Sequence, residues 1–144
     1  MNPIAKRAMA AGSRAASWVY RRSNGRIGGS VKGLPVLLLT VTGRKTGRAR
    51  SAPVAYFEHG DGYVLAGTAG GAKTDPQWIH NLAAAGQASI QVREHRYDVD
   101  ARIAESGERD ELWKNVILTR APSFSSYEEK SGRPIPIAVL TPHS

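Results

Sequence analysis

The short connections between successive predicted strands constrain the fold of this chain more than any other feature. Apolar segments of four to nine residues predict about six strands, at 36–42, 51–58, 63–67, 88–93, 96–104 and 135–141. Most connections are shorter than the dozen or more residues that a parallel crossover requires. The sequence therefore predicts a mainly β fold, an antiparallel barrel with small helices on its outside, in preference to a doubly wound sheet.

Three helical segments are predicted among these strands. Thr74 or Asp75 is expected to cap a helix that has Pro76 in its first turn and ends at Gly86. Ser106 is expected to cap a second helix, and residues 122–132 predict a turn or short helix before the last strand.

Composition limits the chemistry available to the chain. Its 144 residues suit one domain, and it has no cysteine, which excludes disulfides, thiolate metal sites and cysteine nucleophiles. The four histidines have no ligand-like spacing, so no metal site is predicted. No apolar run has the length of a membrane span, and the first residues lack the apolar stretch of a secretory signal. A cytoplasmic location is expected.

The positive charge is concentrated at the N-terminus. Residues 1–33 hold seven of the 20 cations and no acid, so the rest of the chain is close to neutral, which argues against a nucleic-acid-binding domain. We expect residues 1–33 to form a basic amphipathic helix and linker, and residues 34–144 to form the barrel domain. The helix either contacts the inner face of the cell membrane peripherally or packs on its own domain. Its predicted apolar positions are Ile4, Ala8, Ala11, Ala15, Trp18 and Val19.

A cationic loop joins the first two strands of the barrel. Arg44, Lys45, Arg48 and Arg50 fall within the eight residues GRKTGRAR, with no acid among them. Like charges this close repel, and guanidinium groups suit phosphate or carboxylate oxygens, so the loop predicts an anion site. A solvated turn is the alternative. The absence of a GxGxxG sequence, a Walker loop or a nucleophile elbow leaves this loop as the main functional signal.

A second glycine-rich segment, AGTAGGAKTDPQW, follows the third strand and leads into a helix. Its small residues allow a flat ligand to lie against the backbone, and the start of the helix favours an anion. A plain connecting loop is the alternative for this segment taken alone. Together with the cationic loop, it predicts a planar cofactor that carries several negative charges.

These motifs resemble one known family. The segments LLLTVTGRKTGRAR, LAGTAGGAKTDPQWIHNL, APSFSSY and IPIAVL are similar to those of the deazaflavin-dependent nitroreductases. The resemblance covers most of residues 25–140 and implies a split β-barrel like that of the FMN-binding oxidoreductases. It also implies an enzyme that passes a hydride from reduced coenzyme F420 to a quinone, enone or nitroaromatic. FMN as cofactor, or a barrel that binds a deazaflavin or lipid-like ligand without catalysis, are the alternatives.

The resemblance also implies a set of site residues. The coenzyme's phosphate and glutamate tail is expected at Gly43, Arg44, Lys45, Thr46, Gly47 and Arg50. The ring is expected at Pro53, Val54, Ala66, Gly67, Thr68, Ala69, Gly70 and Gly71, with Trp78 and Asn81 closing over the cofactor. The acceptor is expected at Ala121, Phe124 and Tyr127.

Two of these residues receive a role in the reaction. Tyr127 is expected to donate a proton to the acceptor or orient it, and Thr68 to contact the ring. Phe124 and Ala121 stand where relatives carry other aromatic residues, which implies a more apolar pocket that is wider near Ala121. A monomer is preferred over a homodimer.

Overall fold

A computed structural model describes residues 14–31 and 33–143 of the chain. The strands are β1 (Ser30–Val31), β2 (Leu34–Thr42), β3 (Ala49–Ala55), β4 (Phe57–His59), β5 (Gly62–Ala66), β6 (Gln87–Val92), β7 (His95–Ile103) and β8 (Ile137–Pro142). Residues 14–23 are helical (α1), and the other helices are α2 (Gln77–Ala85), α3 (Ser106–Leu112), α4 (Leu118–Arg120) and α5 (Ser125–Ser131). A π-helical turn (Trp113–Ile117) joins α3 to α4, and 3₁₀ turns form at Ala69–Gly71 and Pro122–Phe124. No helix in the described ranges has the length and apolarity needed to span a bilayer.

The strand order shows why the sheet curls. The strands lie in the order β1-β2-β6-β7-β8-β5-β4, all antiparallel, and β3 pairs with the other edge of β2. Only Tyr56 separates β3 from β4, although these two strands belong to opposite ends of the order. One residue can link the two ends only if the sheet bends round on itself. The predicted mainly β, split-barrel fold is confirmed.

The prediction of one strand over 51–58 was wrong. The chain leaves β2 at Ala55 and begins a new pairing with β5 at Phe57, so two strands replace one. The intervening Tyr56 donates its backbone N–H to the carbonyl oxygen of Pro35. The sequence is apolar across this break because Tyr56 and Phe57 are both buried, one in each of two different clusters.

Both faces of β2 are buried, which explains its continuous apolar run. Leu37, Leu39 and Val41 point into the barrel interior. Val36 and Leu38 pack on the opposite face against a residue of α1. The central residues of β2, from Val36 to Leu39, are therefore covered on both sides and leave no solvent-facing position for a polar residue. A further apolar cluster lies between α3, α4, α5 and the strands beside them.

Tyr20 fixes α1 to the sheet. It is fully buried, and its hydroxyl lies 2.9 Å from the carbonyl oxygen of Val36 and 3.0 Å from that of Gln91. The same hydroxyl accepts the backbone N–H of Arg93 at 3.0 Å. One side chain of α1 therefore bonds to the backbone of β2, of β6 and of the turn after β6.

The face of α1 that is buried is not the predicted apolar one. Ala15 and Trp18 are exposed, with Trp18 62% accessible, whereas Ser17 and Tyr20 are buried. The hydrogen bonds of Tyr20 outweigh the small apolar area that an alanine stripe can bury. Of the other predicted positions, Val19 is half-buried, and Ile4, Ala8 and Ala11 lie outside the described residues.

The predicted helix caps were also wrong. Pro76 occupies the N-cap of α2 without a side-chain cap, and Glu105 precedes α3, which begins at Ser106 itself. Asp75 does not cap α2, because its carboxylate pairs with Arg133 at 2.6 Å. A tertiary ion pair has replaced the local cap.

Candidate functional site

A cavity of about 580 Å³ lies beside the cationic loop. Its walls come from four elements: α1, β2 with its following loop, β3, and α2. The lining residues are Arg14, Leu39, Val41, Gly43, Arg44, Lys45, Thr46, Ala49, Arg50, Ser51, Ala52, Gln77, Trp78 and Asn81. We call this space the tail cavity. It brings together most of the residues that were expected to bind the coenzyme tail.

The loop between β2 and β3 folds into a compact turn. The backbone N–H of Gly43 donates to the carbonyl oxygen of Arg48, and that of Gly47 donates to the carbonyl oxygen of Gly43, both at 2.8 Å. Gly47 has φ +71°, a conformation that other residues adopt at a cost. A side chain at Gly43 would press on the hydroxyl of Thr46 at 3.0 Å. Gly47 therefore shapes the cavity without lining it.

Arg44 is held by α2. Its backbone N–H and its Nη1 donate to Oδ1 of Asn81 at 3.1 and 2.8 Å, and its Nη2 donates to Oε1 of Gln77 at 2.9 Å. Both partners are neutral amides, so the guanidinium keeps its full charge. Asn81, which is 6% exposed, thus anchors the loop to the helix and fixes one positive charge at the cavity wall.

The other cations of the loop have no counter-charge. Among the described residues, the side chains of Lys45, Arg48 and Arg50 form no ion pair or hydrogen bond. Lys45 and Arg50 line the tail cavity, and Arg14 of α1 joins them there. An uncompensated cluster of this kind favours a bound anion.

A second cavity of about 260 Å³ adjoins the first at Trp78, which lines both. Its lining residues are Val31, Leu34, Pro53, Val54, Ala55, Ala66, Thr68, Ala69, Gly70, Trp78, Phe124 and Tyr127. We call it the ring cavity. Strand β3 runs along both spaces, with residues 49–52 in the tail cavity and residues 53–55 in the ring cavity. One extended ligand can therefore occupy both.

The glycine-rich loop after β5 forms one wall of the ring cavity. Ala69, Gly70 and Gly71 have φ of +49°, +65° and +87°, and an alanine in this left-handed region costs roughly 1 to 2 kcal/mol. Thr68 lies before them in the right-handed region, an order that turns consecutive N–H groups toward one side. Gly67 lies behind the wall, because a side chain there would meet Ile79 at 2.8 Å.

Aromatic rings form the opposite wall. Phe124 packs edge to face on Phe57 at 5.7 Å and on Tyr127 at 5.1 Å between ring centroids. Phe124 is 8% exposed, whereas Tyr127 is half-buried at the cavity. Ala121 is buried in the apolar cluster behind them and does not line the cavity, so the structure shows no widening there.

Buried hydroxyls inside the barrel stay neutral. Burial raises the pKa of Tyr56 and of Tyr63 above its ordinary value of 10.0, and their rings meet edge to face at 5.3 Å. Within residues 14–31 and 33–143, no three His, Asp or Glu side chains are grouped as a metal ion would require. The charge of the site therefore lies at the tail cavity.

Most predicted site residues lie on one of the two cavities. Gly47, Gly67 and Gly71 support the walls, and Ala121 lies in the core. Sequence reasoning missed Arg14, Gln77, Val31 and Leu34, and it did not single out Ser51. Arg14 and Val31 come from the N-terminal segment, whose packing on the barrel no local pattern indicates. The basic charge of α1 was the one signal that pointed toward Arg14.

Comparisons with known proteins identify the family. The family model described as F420H(2)-dependent quinone reductase matches residues 12–142. A Mycobacterium tuberculosis protein named F420H(2)-dependent quinone reductase is 37% identical over 126 residues, which cover 85% of each chain.

Two solved structures share the fold. One, described as an F420-H2 dependent reductase (FDR-A), is 31% identical with a TM-score of 0.65 and covers 74% of this chain and 93% of its own. Another, described as a domain-swapped dimer, is 28% identical with a TM-score of 0.65 and covers 88% and 98%. The chain is an oxidoreductase with a split β-barrel and belongs to the F420H(2)-dependent quinone reductase family, whose cofactor is coenzyme F420.

Proposed function

We propose that this enzyme binds reduced coenzyme F420 across the two cavities and passes a hydride to a quinone, enone or nitroaromatic in the ring cavity. The observation that carries the proposal is that both cavities lie along β3 and share Trp78 as a lining residue. A cationic space beside an apolar one matches a molecule with an anionic tail and a planar ring. FMN has a single phosphate, which leaves more positive charge unmatched in the tail cavity.

Positive side chains would hold the coenzyme tail. Lys45, Arg50 and Arg14 line the tail cavity and have no side-chain partner among the described residues, so they are available to phosphate and carboxylate oxygens. Arg44 is already oriented by Asn81 and Gln77 and offers a fixed charge. The residues present therefore fit a tail with several negative groups.

The ring cavity would orient the acceptor and exclude water. When bound, the reduced coenzyme supplies a hydride, and reduction of a quinone to its hydroquinone also consumes a proton. Tyr127 is the proposed donor of that proton, or the group that orients the acceptor oxygen, because its ring lies at the cavity wall. Thr68 on the facing loop is proposed to contact the ring. Trp78 and Phe124 supply the apolar walls.

Fluorescence titration tests the proposal directly. Oxidised coenzyme F420 fluoresces, and its emission is expected to change on binding with a Kd in the micromolar range or below. Turnover of F420H2 with a short-chain quinone is then expected under steady-state conditions. Tight binding of FMN without binding of F420 would support the flavin alternative. Tight F420 binding without turnover of quinones, enones or nitroaromatics would support a ligand-binding role.

We propose further that the protein works as a monomer. Within the described residues, one chain supplies both the cationic lining of the tail cavity and the aromatic lining of the ring cavity, which supports this part of the proposal. Light scattering coupled to size exclusion is expected to give a mass near 15.5 kDa. A mass twice as large, as in the related domain-swapped dimer, would contradict this part of the proposal.

Helix α1 is proposed to bring the enzyme to an anionic membrane surface from the cytoplasmic side. Trp18 and Ile27 are each 62% exposed, and the neighbouring Arg22 and Arg26 are exposed as well. Aromatic and basic side chains on one exposed segment favour the headgroup region. Co-flotation with vesicles rich in anionic lipid, and its absence with neutral vesicles, is the expected result. Equal recovery with both kinds of vesicle would count against an electrostatic contact.

A further inference from the structure

Arg133 connects segments that lie far apart in the sequence. Its side chain is only 13% exposed, and its Nη1 pairs with the carboxylate of Asp75 at 2.6 Å. Its Nη2 donates to the carbonyl oxygens of Gly67 and Thr68 at 3.2 and 3.1 Å, and its Nε donates to that of Ala72 at 3.1 Å. One guanidinium thus holds both ends of the glycine-rich loop.

That loop needs an external hold. Ala69, Gly70 and Gly71 follow one another in the left-handed region, and the loop is fixed otherwise by a few backbone bonds. A chain in sparsely populated conformations persists only where its surroundings determine it. Because Arg133 binds the carbonyl groups at each end of this stretch, it fixes the path of the backbone that lines the ring cavity.

The same residue is joined to the helix that carries Tyr127. Arg133 follows α5 after Gly132, which ends the helix with φ +67°. Its backbone N–H donates to the hydroxyl of Ser131 at 3.3 Å, and that hydroxyl in turn contacts the carbonyl oxygen of Glu128 at 3.2 Å. These bonds tie the backbone of Arg133 to the end of α5.

We propose that Arg133 is a positioning residue that keeps the two facing walls of the ring cavity in register. One wall is the loop with Thr68, and the other begins at α5 with Tyr127. Through these contacts, Arg133 sets the distance between Thr68, which is proposed to contact the ring, and Tyr127, which is proposed to donate a proton to the acceptor or orient it. This inference rests on the proposed function and adds to it a residue that touches neither cavity.

The test compares Arg133→Lys with the wild type. Lysine keeps the charge and its pairing with Asp75 but cannot reach several carbonyl groups with a planar fork. We expect Kd to rise about 10-fold for F420, and by the same factor for the ring riboside that lacks the tail. We also expect kcat with a quinone, at saturating coenzyme, to fall about 10-fold, and the absorption band of the bound ring to shift.

Arg109→Lys is the matched control. The Arg109 side chain is 10% exposed, donates to the carbonyl oxygen of Ile135 at 2.8 Å and pairs with Asp110 and Glu128, but it does not touch the glycine-rich loop. We expect it to lower Tm as Arg133→Lys does, and to leave both Kd values and the absorption band unchanged. A purely structural role for Arg133 would make the two variants behave alike.

Asp75→Asn serves as a second probe, because it removes the charge and keeps the side-chain volume. We expect it to raise both Kd values and to lower kcat, with each change about a third as large as that caused by Arg133→Lys. The inference is overturned if Arg133→Lys and Asp75→Asn lose Tm while the Kd for the ring riboside and kcat stay within about twofold of wild type. If the wild type itself binds no F420, the proposed function fails, and this inference fails with it.

Discussion

The tail cavity and the ring cavity adjoin at Trp78 and are built in opposite ways. In the tail cavity, the charged side chains of Lys45, Arg50 and Arg14 form no hydrogen bond or ion pair within residues 14–31 and 33–143. In the ring cavity, the walls are backbone and rings fixed by hydrogen bonds and packing. The tail cavity can therefore bind anionic groups in many arrangements, whereas the ring cavity fits a ligand of one shape. Affinity is therefore expected to come from the tail and reactivity from the ring.

The two regions also differ in their response to salt. Exposed charges are screened within a Debye length, about 8 Å at physiological ionic strength, so binding of the tail should weaken as salt rises. Contacts in a buried apolar cavity are much less affected. Variants and ligand fragments that touch one cavity only can separate these contributions.

The largest expected effect lies in the ring cavity, for Tyr127→Phe. Loss of the hydroxyl leaves the ring in place against Phe124, and kcat with a quinone should fall about 100-fold if the hydroxyl supplies the proton. The Kd for F420 should stay unchanged. Steady-state kinetics at saturating coenzyme measures the effect, with Tyr97→Phe on the exposed side of the sheet as the control. An unchanged kcat would remove Tyr127 from the reaction.

In the tail cavity, the double variant Lys45→Gln/Arg50→Gln is expected to raise the Kd for F420 about 30-fold, because two partly exposed charge contacts are lost. The Kd for the ring riboside without a tail should not change. Arg22→Gln/Lys114→Gln removes the same net charge from exposed positions outside both cavities and provides the control. An equal rise in the Kd for F420 in both double variants would show that net charge, and not a specific site, governs binding.

Arg14→Gln tests whether α1 belongs to the tail cavity. We expect a rise of about fivefold in the Kd for F420 at low salt, which shrinks as ionic strength rises. Fluorescence titrations at several salt concentrations measure it, beside Arg22→Gln on the same helix. If the two variants have equal Kd values at every salt concentration, Arg14 makes no specific contact.

The smallest effect is expected from Tyr20→Phe, which leaves the ring buried and removes the hydroxyl that anchors α1. Loss of its hydrogen bonds should lower the free energy of unfolding by about 1 kcal/mol at pH 8. Burial raises the pKa of Tyr20 above 10.0, so the folded state keeps a proton that the unfolded chain releases above that pH. The protonated Tyr20 hydroxyl therefore makes its full contribution to the free energy of unfolding below pH 10, and this contribution is lost as pH rises through the pKa of the folded state.

Urea denaturation at several pH values measures both effects of this substitution. The variant should show a shallower loss of stability above pH 10 than the wild type does. Burial also raises the pKa values of Tyr56 and Tyr63, so the variant should still lose some stability above pH 10. Identical pH profiles would mean that the Tyr20 hydroxyl does not stabilise the fold through its proton.

Features that depend on neighbouring residues in the sequence could be predicted. The cationic loop is defined by its charge density and two glycines, and the structure places it beside a cavity as expected. The apolar run of β2 predicted a buried strand, and short connections predicted antiparallel pairing. The small residues after β5 predicted a wall for a flat ligand, although the left-handed alanine at 69 could not be foreseen from its type.

Features that depend on distant pairing could not be predicted. The break at Tyr56 exists because the chain passes from one end of the sheet order to the other. Asp75 suits a helix cap locally, and only the fold brings Arg133 close enough to compete for it. Arg14 and Val31 reach the cavities through the packing of the N-terminal segment on the barrel, which its own pattern does not specify.

Strand β3 has one open edge, since among the described strands it pairs with β2 alone. An unpaired edge offers main-chain groups to a strand of any other molecule and invites aggregation. Pro53 has no N–H to offer there, and Arg48 and Arg50 place positive charge beside the edge, so two copies repel. Arg50, which is proposed to bind the coenzyme tail, is thus also expected to help keep the ligand-free protein dispersed. Neutralising Arg50 to probe binding should, as a side effect, make the protein prone to precipitate.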